Sequence, residues 1–569
     1  MQRLSLNQKS LTFLVILIGG FLSIPHAKGA PVLPDSANRP KTEPQPAFPL
    51  VSPPQVGQEK VQEFKPTMDE SSAIKVTVST FKFSGNSSFS NEQLSALLTS
   101  FLNRPLDIKE LNQAANTITQ FYRSHGFLLA QAYLPEQDIS QGLLEISIIE
   151  GKLGELKLKF SPALDENFLK RLASNNLTPG SAIREDNLVK NVTILNSLPA
   201  LRATAQLNPG EQVGTGNAEI DLQELPRWGA IVTANTYGNR FTGREVVNGL
   251  FYLNNLAGRG DRLNLSLTSS KDDGQRGLRL GYAIPVHDSG TLLSLDYNYA
   301  DYKLGAEFEV LDATGKSYFL GALIDQPIVR AKQRNLTARF GISYKDVTDE
   351  VEAFVLETHR NIEAIDFGAY GDWRDKLNGF NQLGINIRYG YVDFKNNRAE
   401  VDDAAGAETA GSFIKYNIFV SRIQPLSTNL NLTLRAEYQG ADQNLDSSEK
   451  FSIGGINRWR AFAELPTSAD RGLELGLELR GRIFGTRLAQ LHIQGLSPYG
   501  FIDYGTGTLN QNALSSNNGV KSIHYGLGID ASIAKRWFTG LTISQQERRI
   551  DGNPREYETR TWGQIQKEF

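Results

Sequence analysis

The stretch FSIGGINRWRAFAE, residues 451–464, sets Arg458 and Arg460 on either side of Trp459, just after the pair Gly454–Gly455. It follows neither a helical nor a strand period, and its glycines mark a loop with access to unusual backbone angles. A guanidinium does not escape burial by losing its proton, so an arginine withdrawn from water needs a carboxylate. The chemistry this stretch asks for is therefore an ion pair with an acid elsewhere in the chain. Glu474 and Glu478 are spaced to share one face of a strand, which would suit paired carboxylates in acid–base work, but Arg480 beside them favours a charge network. Other catalytic signatures are missing from the sequence. The six histidines form no H-E-x-x-H, and neither a G-x-S-x-G elbow nor a G-x-x-x-x-G-K-[ST] phosphate loop occurs. Cysteine is absent altogether, which removes thiol catalysis, disulfides and cysteine zinc sites. We expect no enzyme, no metal and no cofactor.

Composition and the first residues say where such a loop would sit. The net charge of −3 and pI near 6.2 give no support to nucleic-acid binding. Arg3 and Lys9 precede the 14-residue apolar run LTFLVILIGGFLSI, and AKG then supplies small residues for cleavage after Gly29. This pattern predicts a secretory signal peptide over residues 1–29, too short for a comfortable span. No other run approaches 18 apolar residues, so the alternatives are an exported soluble protein or an outer-membrane barrel.

The elements that must position the loop follow from periodicity. Residues 30–66 hold nine of the 23 prolines and predict an extended linker. From residue 74 the order reads β-α-α-β-β: IKVTVSTFKFSG, then helical spacing at Leu94, Leu97, Leu98 and Phe101, and again at Leu111, Ala115, Ile118 and Tyr122, then FLLAQAYLP and GLLEISIIEG. Ser90 and Asp107 are expected N-caps and Gly126 a C′ residue. The same order returns over residues 152–224, which suggests a tandem repeat of about 75-residue modules. Beyond residue 229 no convincing helix is expected. There NLNLTLRAEYQ, GLELGLELRG, SLDYNYADY and DRLNLSLTSS alternate with period 2. That alternation fits both a sandwich and a barrel. Roughly 340 residues, strands near the length of a tilted membrane span, polar faces bearing both charges, and the terminal Phe569 favour the barrel. GRGD, 258–261, resembles an adhesion tetrapeptide but between two strands reads as a tight turn.

At this point the residues resemble a known family, the two-partner secretion transporters (TpsB proteins), over nearly all of the expected mature chain. YRSHGFLLAQAYLPEQDISQGLLEISIIEG, 122–151, is similar to the family's first POTRA domain, with landmarks at Tyr122, Gly126, Pro135, Gln137, Glu150 and Gly151. ANTYGNRFTGRE, NNLAGRGDRLNLSL, YAIPV and EYQGADQNLDSSEKFSIGG resemble barrel segments of the same family. NRWRAF falls where the family has Val-Arg-Gly-(Tyr/Phe) at the tip of the sixth extracellular loop, and FIDYG, 501–505, resembles its Phe-x-Asp-x-Gly strand motif.

The resemblance implies a sixteen-stranded β-barrel membrane protein with two POTRA domains. It divides the chain into signal peptide 1–29, proline-rich linker 30–73, POTRA 1 over 74–151, POTRA 2 over 152–226 and barrel 227–569. It further implies that Arg460 pairs with Asp503 in the lumen, with Gly454, Gly455, Trp459, Ala461, Phe462, Phe501 and Gly505 as motif neighbours. Trp459 and Ala461 depart from the pattern, standing where relatives have a small β-branched residue and glycine. The family's plug helix is not evident, and residues 55–65 leave room only for a short one. The implied partners are a secreted exoprotein (haemolysin, adhesin or contact-dependent toxin), outer-membrane lipid, and the barrel-assembly machinery during biogenesis. Export without ATP is the implied function, with a barrel-assembly insertase or a passive channel as alternatives.

Overall fold

The computed structural model describes residues 55–58, 75–139, 141–175, 177–212, 214–454, 467–485, 488, 490, 492–512, 517–533 and 536–569. The expected signal peptide lies outside these residues, as do Gly455, Arg458, Trp459, Arg460, Ala461 and Phe462.

Two α+β modules precede the barrel. In the first, a three-stranded sheet places Leu143–Ile149 between Thr80–Ser84, which runs parallel to it, and Gln131–Tyr133, which runs antiparallel. Its helices Asn91–Leu97 and Ile108–Ser124 begin with reciprocal caps. Asp107 accepts from the Glu110 N–H at 2.8 Å while Glu110 accepts from the Asp107 N–H at 3.1 Å, which satisfies two donors the helix cannot. The apolar stripe Leu111, Ala115, Ile118 and Tyr122 then packs on Phe81, Phe83, Leu144, Ile146 and Ile148. A short strand, Pro105–Leu106, interrupts the expected element order by pairing with Val76–Thr77. FLLAQAYLP yields only the three-residue strand.

The second module carries helices Glu166–Ser174 and Glu185–Asn196 beside strands Lys152–Phe160, Leu201–Pro209 and Thr215–Glu224. The expected linker contributes to it. Gln55–Gln58 is a strand, not part of a helix, and pairs in parallel with Thr204–Leu207 at the edge of this sheet. Backbone groups left open along a sheet edge reward any extended segment within reach, whatever its helical propensity.

Sixteen antiparallel strands, from Trp228–Asn235 to Glu556–Glu568, close into a barrel. The seam pairs Ile231–Asn235 with Gln564–Glu568. Leu475, Leu477 and Leu479 point outward and are exposed, whereas Glu474, just before them, is buried in the lumen, as period 2 demands when lipid meets one face. No described helix is long and apolar enough to cross a membrane. Several strands exceed a simple span, the longest being the 19-residue Leu356–Arg374. A helix does occur in this half: Asn397–Ala404 caps one outer loop, and single 3-10 turns at Ala306–Leu311 and Glu352–Phe354 cap two more. They are too short to give a helical period.

The second module sits on the turns at one end of the barrel. The N–H of Asp165 donates to the Gly258 carbonyl at 2.8 Å, that of Ala200 to the Gly260 carbonyl at 3.1 Å, and Arg259 reaches Asp165 at 2.9 Å. GRGD is thus a tight turn whose buried Asp261 accepts from the N–H groups of Ala257 and Arg259 and from the Tyr282 hydroxyl. A Cβ on Gly258 would lie 2.8 Å from the Ala163 carbonyl, so a larger residue would push the module off this turn. Lys332 on another turn meets Glu185 at 3.2 Å. These turns mark the modules' side of the barrel, and residues 442–454 and 467–470 lie at the other.

Candidate functional site

Residues 442–454 and 467–470 run back into the lumen. Phe451–Ile453 pairs with Thr467–Ala469 as a two-stranded ribbon whose side chains are almost wholly buried against the wall. Glycine on the wall makes the room. A Cβ on Gly472 would stand 2.2 Å from the Phe451 ring, and one on Gly505 would stand 2.5 Å from Cγ2 of Ile453. Gly505 of FIDYG is therefore the floor on which the ribbon rests.

FIDYG occupies the strand Ile493–Thr508, with Phe501, Asp503 and Gly505 buried on the lumen face and Ile502 exposed on the other. Asp503 stands between Gly476 and His524 in the strand register. Arg460, its expected partner, is outside the described residues, so the pair has no geometry here. Gly454, at the ribbon's end, donates its N–H to Glu474 at 2.5 Å. The two glutamates of GLELGLELRG thus divide. Glu478 joins Arg480 and Asp530 in a lumen charge network, with Arg480 2.7 Å from each, while Glu474 serves the loop.

The loop's root carries most of the electrostatics. Glu449, 1% exposed, lies 2.5 Å from Lys345, 2.6 Å from Lys415 and 3.2 Å from Arg388. Arg388 also binds Asp366 at 2.8 Å, and Arg360 joins Asp446 of the root to Asp349 of the wall. Four cations from four consecutive strands meet four carboxylates, two of them from the loop. Arg388 and Lys415 face each other directly across adjacent strands. Like charges so placed repel, and Glu449 sits where it neutralises both. On the ribbon's other side Lys450 meets buried Asp470 at 3.0 Å, and Asp470 accepts the N–H groups of Leu445 and Gln511. Sequence reasoning missed this cluster. Its loop half is visible in NLDSSEK, but its wall half depends on the register of four strands, which no short motif encodes.

The landmarks of the first module form a different kind of site. Glu150 accepts the N–H groups of Ser87 and Ser88 at 2.8 and 2.7 Å and the Tyr122 hydroxyl at 3.0 Å. Burial by itself would raise this carboxyl, but the hydrogen bonds from Ser87 and Ser88 outweigh it and hold Glu150 below the usual range. Burial, and then the bond to Glu150, pushes the Tyr122 phenol up. Gln137 bonds both backbone groups of Glu145, at 2.7 Å each, and the Pro135 carbonyl at 3.2 Å. Gly126 and Gly151 take positive φ at the turns beside them. Tyr122, Glu150 and Gln137 are thus engaged inside the module and act as fasteners of its fold.

At the barrel's end, Phe569 donates its N–H to the Ala230 carbonyl at 2.9 Å, and its exposed ring stands in a belt with Trp228, Trp373 and Trp537 on the modules' side. Tyr297, Tyr318, Tyr416 and Tyr525 are exposed further up the outer surface. Such girdles flank the apolar band of membrane barrels.

A closed, lipid-faced barrel with a loop buried in its lumen and α+β modules at one mouth defines an outer-membrane POTRA-barrel transporter, with the modules in the periplasm. The chain belongs to the haemolysin secretion/activation family ShlB/FhaC/HecB, which matches residues 214–530, and a ShlB-type POTRA domain matches residues 76–151. It is 28% identical to the heme/hemopexin transporter protein HuxB of Haemophilus influenzae strain 86-028NP over 80% of both chains. It is 23% identical to the outer membrane transporter CdiB of Dickeya dadantii over 70% of both. In fold it is similar to CdiB from Escherichia coli, with a TM-score of 0.70 at 18% identity, covering 89% of this chain and 93% of that one. This is a two-partner secretion transporter, and its function is export of a partner protein across the outer membrane.

Proposed function

We propose that the exported partner is one large β-rich exoprotein, recognised unfolded by the periplasmic modules and passed through the lumen beside the sixth outer loop. The chain divides for this task as its resemblance implies: signal peptide 1–29, linker 30–73, POTRA modules 74–151 and 152–226, barrel 227–569. An unfolded client adds a strand to an open sheet edge, where main-chain hydrogen bonds give affinity without demanding a sequence. Thr80–Ser84 and Lys152–Phe160 are edge strands of the two sheets, and a third edge, at Leu201–Pro209, already carries Gln55–Gln58. The lumen offers no nucleotide motif, so the client supplies the driving force by folding outside.

The observation that carries this reading is the seating of the loop root by the Glu449 cluster. A loop fastened across the lumen narrows it, so in this reading part of the loop yields when a client passes. In this reading Arg460, at the loop tip, pairs with Asp503 and latches the tip until the client moves it, with Trp459 and Ala461 packing the tip by bulk. The test is Arg460→Ala, scored by client secretion against barrel level and heat-resistant electrophoretic mobility. Secretion falling well beyond the loss of folded barrel supports the latch. A loss in proportion to the barrel assigns the pair to assembly alone.

A further inference from the structure

Among the described strand pairs of the barrel, two cations face each other directly in only two places. One is Arg388–Lys415 inside, which Glu449 bridges. The other is Lys521–Arg549, where strands Gly519–Ile533 and Trp537–Ile550 meet near the outer mouth. Lys521 continues the outward row of Ile523, Tyr525, Leu527 and Ile529, and Arg549 the row of Leu541, Ile543, Gln545 and Glu547. Both cations are exposed. Of the acids beside the pair in sequence, Glu547 binds Arg555 at 2.8 Å and Asp551 accepts the Gly519 N–H at 2.9 Å. Elsewhere on this surface the charges alternate, Asp301 standing between Arg276 and Lys316 in register.

Opposed like charges on a sheet cost stability unless an anion lies between them, and inside this barrel the chain provides one. Outside, the height of the pair selects the anion. A tilted strand climbs about 2.6 Å per residue, so Arg549 stands roughly 31 Å above Trp537 of the inner belt, just beyond the apolar band of about 25 Å. That is the level of the outer-leaflet headgroups. We propose that Lys521 and Arg549 form a binding site for a phosphate of lipid A, the phosphorylated glycolipid of the outer leaflet, with Tyr525 and Ile523 below receiving its acyl chains. Arg supplies planar paired donors and Lys a point charge, a combination suited to a phosphate monoester.

The test uses the whole protein in detergent and native mass spectrometry with bisphosphorylated lipid A, or lipid A stripped of both phosphates, as probe. The native protein should hold the phosphorylated probe about thirty-fold more tightly than Lys521→Gln/Arg549→Gln, two surface cations each counting about fivefold. The phosphate-free probe should bind both proteins equally weakly. Lys521→Glu gives Arg549 an anion of its own, so it should lose the lipid while keeping or raising the temperature at which heat-resistant mobility is lost, which separates lipid binding from folding. Equal binding by the native protein and the double variant overturns the proposal, as does equal binding of the two probes. Inorganic phosphate displacing lipid A at equal concentration overturns the assignment to lipid.

Discussion

Glu449 is a single carboxylate answering for three buried cations, Lys345, Arg388 and Lys415. Buried ion pairs seldom stabilise more than apolar contacts of the same volume would, but removing one partner strands the others at a cost of about 3–5 kcal/mol. Glu449→Gln should therefore cost more than any single cation in the cluster and lower the temperature at which the barrel loses its heat-resistant mobility. Adding Lys345→Met to that variant removes a stranded charge and should recover part of the loss. If Glu449→Gln alone leaves the mobility transition in place, the cluster does not hold the loop. The residue scale is also where the sequence was least legible. A loop rich in arginine announces a need for carboxylates, and FIDYG named one by resemblance. Glu449 gave no comparable signal, because its partners are spread over four strands and come together only through register. Glu474 misled for a related reason: it shares a strand face with Glu478, yet it bonds the Gly454 N–H while Glu478 bonds Arg480.

At the scale of elements, legibility followed local physics. Helix starts were readable because capping is a matter of three or four neighbouring residues, as at Ser90 and Asp107. The lipid face was readable because alternation repeats along each strand. Gln55–Gln58 was not, since a strand made by pairing with a distant edge leaves no period of its own. The outer helix Asn397–Ala404 was missed because eight residues with few apolar positions show no stripe. The ribbon Phe451–Ile453 fits tightly over Gly472 and Gly505 and is held against the wall as a fixed footing. Ile453→Cys with Gly505→Cys should join the ribbon to the wall, because the built Cβ of Gly505 lies within contact of the Ile453 side chain and the native chain has no cysteine to interfere. The cross-linked protein should secrete its client at close to the parental rate. Secretion that stops on oxidation and returns with reductant would mean that the ribbon itself must leave the wall.

At the scale of the whole molecule, the question is what moves a long polypeptide one way through a barrel whose sequence carries no phosphate-loop motif. Thermal motion carries the chain in both directions, so direction requires that retreat be made costly. Repetitive β-rich proteins fold as stacked units whose stabilities add approximately by neighbour. Each unit that folds at the outer mouth with about 1.4 kcal/mol in its favour makes return roughly tenfold less probable than advance. In the proposed reading the periplasmic modules complete the asymmetry, since an open sheet edge that takes up extended chain keeps it from folding on the wrong side. The arrangement predicts a position-dependent failure. A client with one interior repeat destabilised by about 2–3 kcal/mol, the size of a large-to-small core substitution, should emerge normally up to that repeat and then slow. Surface proteolysis of intact cells would find the segment before the lesion outside while the segment after it stays protected in the periplasm. Moving the lesion along the client should move the protected boundary with it. A client carrying such lesions throughout, yet secreted at the full rate, would show that folding outside is a consequence of export, and the driving force would have to be sought in the periplasmic modules instead.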